Sequence, residues 1–136
     1  MKKVIFLSWA LMMILSSFSG NAQTAKMEAQ SATAPKVEAY YFHNKVRCET
    51  CLSVEAETKA DLENLYGKQV SFKALNLEED ANKAIVEKLQ VSGQTLLIVK
   101  GDQKINLTNE GFLYARTNPK KFKSIIKAKV DKLLEL

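Results

Sequence analysis

This chain of 136 residues is poor in the residue types on which most chemistry is built: two cysteines, one histidine, one tryptophan and two prolines. Two cysteines exclude a multi-bridge mini-protein scaffold and a four-thiolate zinc site. A lone histidine, His43, excludes most histidine-based metal centres and catalytic constellations. Long apolar runs are also missing beyond Val4–Leu15, which is short of the roughly 20 residues a membrane span needs. The length allows one compact domain and little more. Hydrophobic residues make up 46% and charged residues 26%, which argues against wholesale disorder and against a multi-span membrane protein. Any chemistry must run through Cys48 and Cys51.

The first residues read as an address rather than as fold. Met1-Lys2-Lys3 is a short basic region, Val4–Leu15 the apolar run, and Ser16–Gln23 a small, polar stretch with Gly20 and Ala22 placed for cleavage. That tripartite pattern predicts a secretory signal peptide over residues 1–22, with an uncleaved anchor as the alternative. No cysteine lies at the cleavage point to carry a lipid. Losing Lys2 and Lys3 lowers the formal charge from +5 to +3, which is no nucleic-acid signature. Lys120, Lys121, Lys123, Lys127, Lys129 and Lys132 read as the solvated side of a helix, with an anionic surface as the sharper alternative. The expectation is an exported protein, periplasmic or secreted, where disulfides persist. The same reading expects no nucleic-acid partner, no stable membrane span after cleavage, and a monomer.

Residues 23–36 (QTAKMEAQSATAPK) lack periodic apolar patterning and read as a flexible linker to a domain over 37–136. Val37–His43 is β-branched and aromatic, a strand. Leu52–Tyr66 places Val54, Leu62 and Leu65 on one helical face with Cys51, and Gly67 is positioned to end that helix. Val70–Asn76 alternates as a second strand. Asn76 with Glu79 resembles a capping box opening a helix with Ala81, Ala84, Ile85 and Leu89 as its stripe. Gln94–Lys100 reads as a buried strand turning at Gly101-Asp102 into Lys104–Leu107. Asn109–Thr117 reads as irregular, packed down by Phe112 and Tyr114. Asn118-Pro119 then caps a final helix along Phe122, Ile125, Ile126, Val130, Leu133 and Leu134. The order is β-α-β-α-β-β-α.

Cys48-Glu49-Thr50-Cys51 falls at the start of the first helix. The unpaired N–H groups of a first turn, and the helix dipole, favour a thiolate there, which makes Cys48 the nucleophile. Cys51, one turn inward on the apolar face, is placed to attack a mixed disulfide and release the partner. Lys45 and Arg47 add positive potential; Glu49 opposes them if its side chain turns inward.

These features resemble the thioredoxin-like superfamily over about residues 37–136: the strand Val37–His43, the Cys48–Cys51 motif, the element order, and the segment Val91–Lys100. More narrowly, Tyr41-Phe42-His43, Arg47-Cys48-x-x-Cys51, Val91-Ser92-Gly93, Gly111-Phe112 and Tyr114-Ala115 resemble the nitrophenyl compound nitroreductase subunit ArsF family. That resemblance implies a redox-partner role. The superfamily resemblance implies an α/β thioredoxin-like fold, a central mixed β-sheet flanked by helices. It also implies exchange with a protein or small-molecule thiol or disulfide partner, with no cofactor beyond the Cys48–Cys51 dithiol. Departures stand beside the match. Thioredoxins carry Trp before the first cysteine and Gly-Pro between the two, where this chain has Arg47 and Glu49-Thr50. Their cis-proline has no counterpart: Thr95 stands there, after Gln94, and is expected trans because a non-proline cis bond costs about 2.5–4 kcal/mol. Phe42 occupies the place of their buried aspartate. These departures point away from efficient general disulfide reduction.

The alternative of a different class is a soft-metal or accessory binding protein using Cys48 and Cys51, with His43 as a third ligand. His43 otherwise reads as a strand-end residue with its ring satisfied, or as a proton shuttle to Cys51. The backbone around Gln94 and Thr95 is expected to receive a partner's extended chain.

Overall fold

The structure, a computed structural model, describes residues 37–136. The signal peptide over 1–22 and the linker over 23–36 lie outside the described residues. Strands β1 (Val37–His43), β2 (Val70–Asn76), β3 (Thr95–Lys100) and β4 (Gln103–Asn106) form one sheet in the order β2-β1-β3-β4. β1 runs parallel to β2, with Val37 opposite Val70 and His43 opposite Asn76. β3 is antiparallel to both β1 and β4. Parallel pairing of β1 and β2 requires a crossover, supplied by helix α1 (Glu49–Tyr66).

The two-residue period of each strand sorts its side chains between two cores. On one face Val37, Ala39, Tyr41, Val70, Leu96 and Ile98 are buried against α1 and two later helices, α3 (Thr108–Tyr114) and α4 (Pro119–Leu134). On the other, Tyr40, Phe42, Leu97 and Val99 are covered by Leu75, Leu77, Val91 and the short helix α2 (Lys83–Leu89). Helices therefore flank a mixed sheet on both faces, and the fold is α/β and thioredoxin-like, as the motif and element order lead one to expect.

Three expectations need correction. Asn109–Thr117 is not irregular, since α3 occupies most of it, and the element order gains a helix. Gly111, a residue that weakens the helical signal, sits where a Cβ would come within 3.2 Å of Val54 Cγ1 and 3.6 Å of Phe122 Cζ. Helix α3 approaches α1 and α4 closely because that position is bare. Secondly, Asn76 does not cap α2. Its Oδ1 accepts from the Glu78 N–H at 3.0 Å, closing a turn after β2, and a 3₁₀ turn over Asp80–Asn82 precedes the helix. Thirdly, the inward face of α2 is Ile85, Val86 and Leu89, while Ala81 and Ala84 are exposed.

Gly67 ends α1 with φ of 54°, donating its N–H to the Glu63 carbonyl. Asn118 caps α4, its Oδ1 accepting from the Lys121 N–H at 3.1 Å.

Candidate redox site

The first turn of α1 lies just past the end of β1 because only Asn44–Arg47 separate the strand from Cys48. That short loop is tied to the turn after β2. The Leu77 N–H donates to the His43 carbonyl at 2.8 Å, and the Lys45 N–H donates to Glu78 Oε1 at 2.9 Å. Cys48 is the N-cap residue, in an extended conformation, and its Sγ accepts from the Cys51 N–H at 3.1 Å. One of the orphan donors of the helix end thus points at sulfur. Cys48 and Cys51 are joined as a disulfide, with Cα atoms 5.1 Å apart. Cys48 is exposed, whereas Cys51 is only 3% exposed.

The pairing of Phe42 with Thr95 brings the start of β3 beside the same end of the sheet. The Gln94 side-chain amide reaches the Cys51 sulfur, with Nε2 at 3.7 Å and Oε1 at 3.9 Å. Thr95 Oγ1 donates to the Gly93 carbonyl at 2.9 Å, and no peptide bond among the described residues is cis. The start of β3 and the Gln94 side chain therefore lie beside the disulfide.

The charges are arranged differently from that expectation. Glu49 does not turn toward the sulfurs: its carboxylate pairs with Arg116 Nη2 at 2.7 Å, on an exposed surface. Arg47 does not stand free either. Its Nη1 is bonded to Glu55, and its Nη2 lies 2.8 Å from His43 Nε2. A guanidinium only donates, so His43 Nε2 must be the accepting, unprotonated nitrogen. His43 Nδ1 then donates to the Asn44 carbonyl at 2.9 Å. Both ring nitrogens of this buried, neutral histidine are engaged away from the cysteines, so the proton-shuttle placement is not assembled. Among the described residues no group of three or more His, Cys, Asp and Glu side chains is arranged to hold a metal ion, and His43 does not join the two sulfurs as a third ligand. Among the described residues, Lys45 is engaged through its backbone N–H alone.

The buried Tyr41 phenol, which feels both charges of the Arg47–Glu55 pair, has no hydrogen-bond partner among the described residues. Burial holds it above its ordinary pKa range, with Arg47 pulling it down and Glu55 pushing it up. Sequence reading missed Glu55, Glu78 and Arg116. Glu55 follows Cys51 by four residues and so shares its side of α1, a signal that a helical projection started at Cys51 carries. Nothing local in the sequence marks Glu78 or Arg116.

These features define an α/β thioredoxin-like domain with one Cys-x-x-Cys disulfide at a helix start. No family model and no curated protein matches the chain. Among solved structures it is similar to Trxlp from Edwardsiella tarda EIB202, at 17% identity and a TM-score of 0.49, covering 74% of this chain and 90% of that one. It is also similar to the thioredoxin of Wuchereria bancrofti (19%, TM-score 0.44, 74% and 87%) and that of Trypanosoma brucei brucei (20%, TM-score 0.42, 74% and 85%).

Proposed function

We propose that this protein is an exported thiol–disulfide exchange protein that acts through Cys48 and Cys51. One observation carries the reading: an exposed cysteine caps a helix and is bonded to a buried cysteine one turn further in. A bridge between residues three apart closes almost no loop and so contributes little to stability, which leaves redox exchange as its use.

In the reduced protein the Cys48 thiolate attacks one sulfur of a partner disulfide, and the partner's other sulfur leaves as a thiolate. Cys51 gives its proton to solvent, and its sulfur attacks Cys48 in the mixed disulfide. The Cys48–Cys51 bond forms and the second partner sulfur leaves, so two electrons pass from the dithiol to the partner. With a partner dithiol the same steps run in reverse. The helix start, Lys45 and Arg47 favour the Cys48 thiolate. The backbone at Gln94 and Thr95 offers an extended partner chain a place beside the sulfurs. No cofactor beyond the dithiol enters this chemistry.

The leader-like residues 1–22 support export to the periplasm or beyond, and the likeness of the Cys48 region to the ArsF family supports a redox-partner role there. We take the working form to be a monomer. Among the described residues no helix is long and apolar enough to cross a membrane.

Equilibration of the purified protein with glutathione buffers should give a reversible two-electron potential between about −270 and −120 mV. Cys48→Ser should abolish exchange, and Cys51→Ser should accumulate the mixed disulfide. A wild-type pair that does not equilibrate with glutathione at all would sink the proposal.

A further inference from the structure

Arg47 immediately precedes the exposed cysteine, and its charge is not free to act on sulfur alone. The guanidinium is held between Glu55, two turns into α1, and the unprotonated Nε2 of His43 at the end of β1. His43 is held in turn by the Asn44 carbonyl, and the residue is only 6% exposed. The pair is half-buried, at 23% and 28% side-chain exposure, so solvent screens it less than it screens the outer charges. Those outer charges are few. Glu49 is paired with exposed Arg116, and Glu78 is spent on the Lys45 backbone N–H, which leaves the Lys45 ammonium as the other cation of the loop.

We infer that Glu55 is a positioning residue that sets the reactivity of the dithiol: it anchors Arg47 beside Cys48 and cancels part of the charge Arg47 presents to the thiolate. This rests on the thiol–disulfide reading and adds a named control to it. The three groups bridge β1, the loop and α1, with His43 serving as a neutral second acceptor that fixes the direction of the guanidinium fork. A network whose charges sum to zero keeps Cys48 less acidic than a bare arginine would make it. The dithiol is accordingly a weaker oxidant, because the potential rises as the reduced thiolate is stabilised.

The test uses opposite charge removals at the two ends of one ion pair. Glu55→Gln keeps an amide oxygen for Arg47 and deletes only the countercharge. It should raise the thiolate fraction of Cys48, read from the pH dependence of iodoacetamide alkylation. It should also shift the glutathione equilibrium toward reduced protein by about threefold. Arg47→Met leaves Glu55 uncompensated and should move both readouts the other way. The double variant should return close to wild type. A purely structural role for the pair would move the urea midpoint of both single variants in the same direction and leave these two readouts unmoved.

Single variants that shift alkylation in the same direction, or that leave it unmoved, would overturn the inference. Alkylation needs no exchange partner. A wild-type protein that fails to equilibrate with glutathione therefore defeats the functional reading alone, and the opposed alkylation shifts still decide the role of Glu55.

Discussion

Cys51 and Asp61 are two buried polar side chains of α1 with opposite prospects. The sulfur of Cys51 has one side-chain amide against it, that of Gln94, and in the reduced protein this amide can donate to a thiolate that burial otherwise disfavours. Gln94→Ala removes that donor without touching Cys48. It should slow the resolving step several-fold while first attack proceeds at the wild-type rate, so that quenched-flow samples contain more of the mixed disulfide. Equal slowing of both steps would show that Gln94 acts on something other than Cys51. Asp61 sits on the α4 side of the helix. Its Oδ1 is 3.5 Å from Lys123 Nζ, and its Oδ2 has no partner among the described residues. Burial pushes this carboxyl above its ordinary range, and Lys123 only partly offsets the shift. The sign follows from linkage. The unfolded chain ionises at ordinary carboxylate pH while the folded chain still holds its proton, so stability falls as pH rises through that window. Above the folded value the whole cost is present. Asp61→Asn should therefore be more stable than wild type at pH 7, on the order of 1 kcal/mol. Urea denaturation at descending pH should show the advantage fading toward the ordinary carboxylate range.

Among the elements, α3 shows how packing overrides a local signal. Its seven residues include a glycine and follow directly on β4, so neither length nor propensity announces a helix. What stabilises it is contact: Gly111 against Val54 and Phe122, with Ala115 buried one turn on. Gly111→Val puts branched carbons where a single Cβ is already at 3.2 Å. It should cost about 1–3 kcal/mol in urea unfolding, although valine is the better helix former. A neutral result would mean that α3 can move off α1 freely. The elements legible in the sequence carry their own punctuation or period. β1 and β2 match the expected Val37–His43 and Val70–Asn76 residue for residue, α1 stops at Gly67, and α4 starts at Asn118-Pro119. Of the site, the Cys48–Cys51 motif reads directly from the sequence, whereas Gln94 and Thr95 come only from the cis-proline position that the thioredoxin resemblance assigns. The charge pairings are less legible. Arg47 meets Glu55 across a loop and two helical turns, and Glu49 meets Arg116 from the far side of α3. The second pairing depends on where α3 settles against α1, a long-range outcome that no local window contains, whereas helical spacing from Cys51 alone marks Glu55.

At the scale of the whole domain the sheet is covered unequally, and this decides where it opens first. One face lies under α1, α3 and α4, with Phe122, Ile126 and Val130 fully buried. The other lies under the seven residues of α2, of which Leu89 alone is buried. A seven-residue helix is too short to hold itself together, so α2 persists only through Ile85, Val86 and Leu89. Opening that cover exposes Tyr40, Phe42, Leu97 and Val99 while leaving the α1 side of the sheet packed. Native-state amide exchange should accordingly place α2 well below the global unfolding free energy and the central strands β1 and β3 at it. Leu89→Ala should deepen the difference, speeding exchange in α2 most, whereas Phe122→Ala should lower the whole domain by about 3–5 kcal/mol. The dithiol stands on the helix over the thicker face. Its glutathione equilibrium should therefore be unchanged in Leu89→Ala, even where α2 is largely open. Exchange of α2 and β1 at one common free energy would show instead that the two faces unfold together, and that the thin cover is no weaker than the thick one.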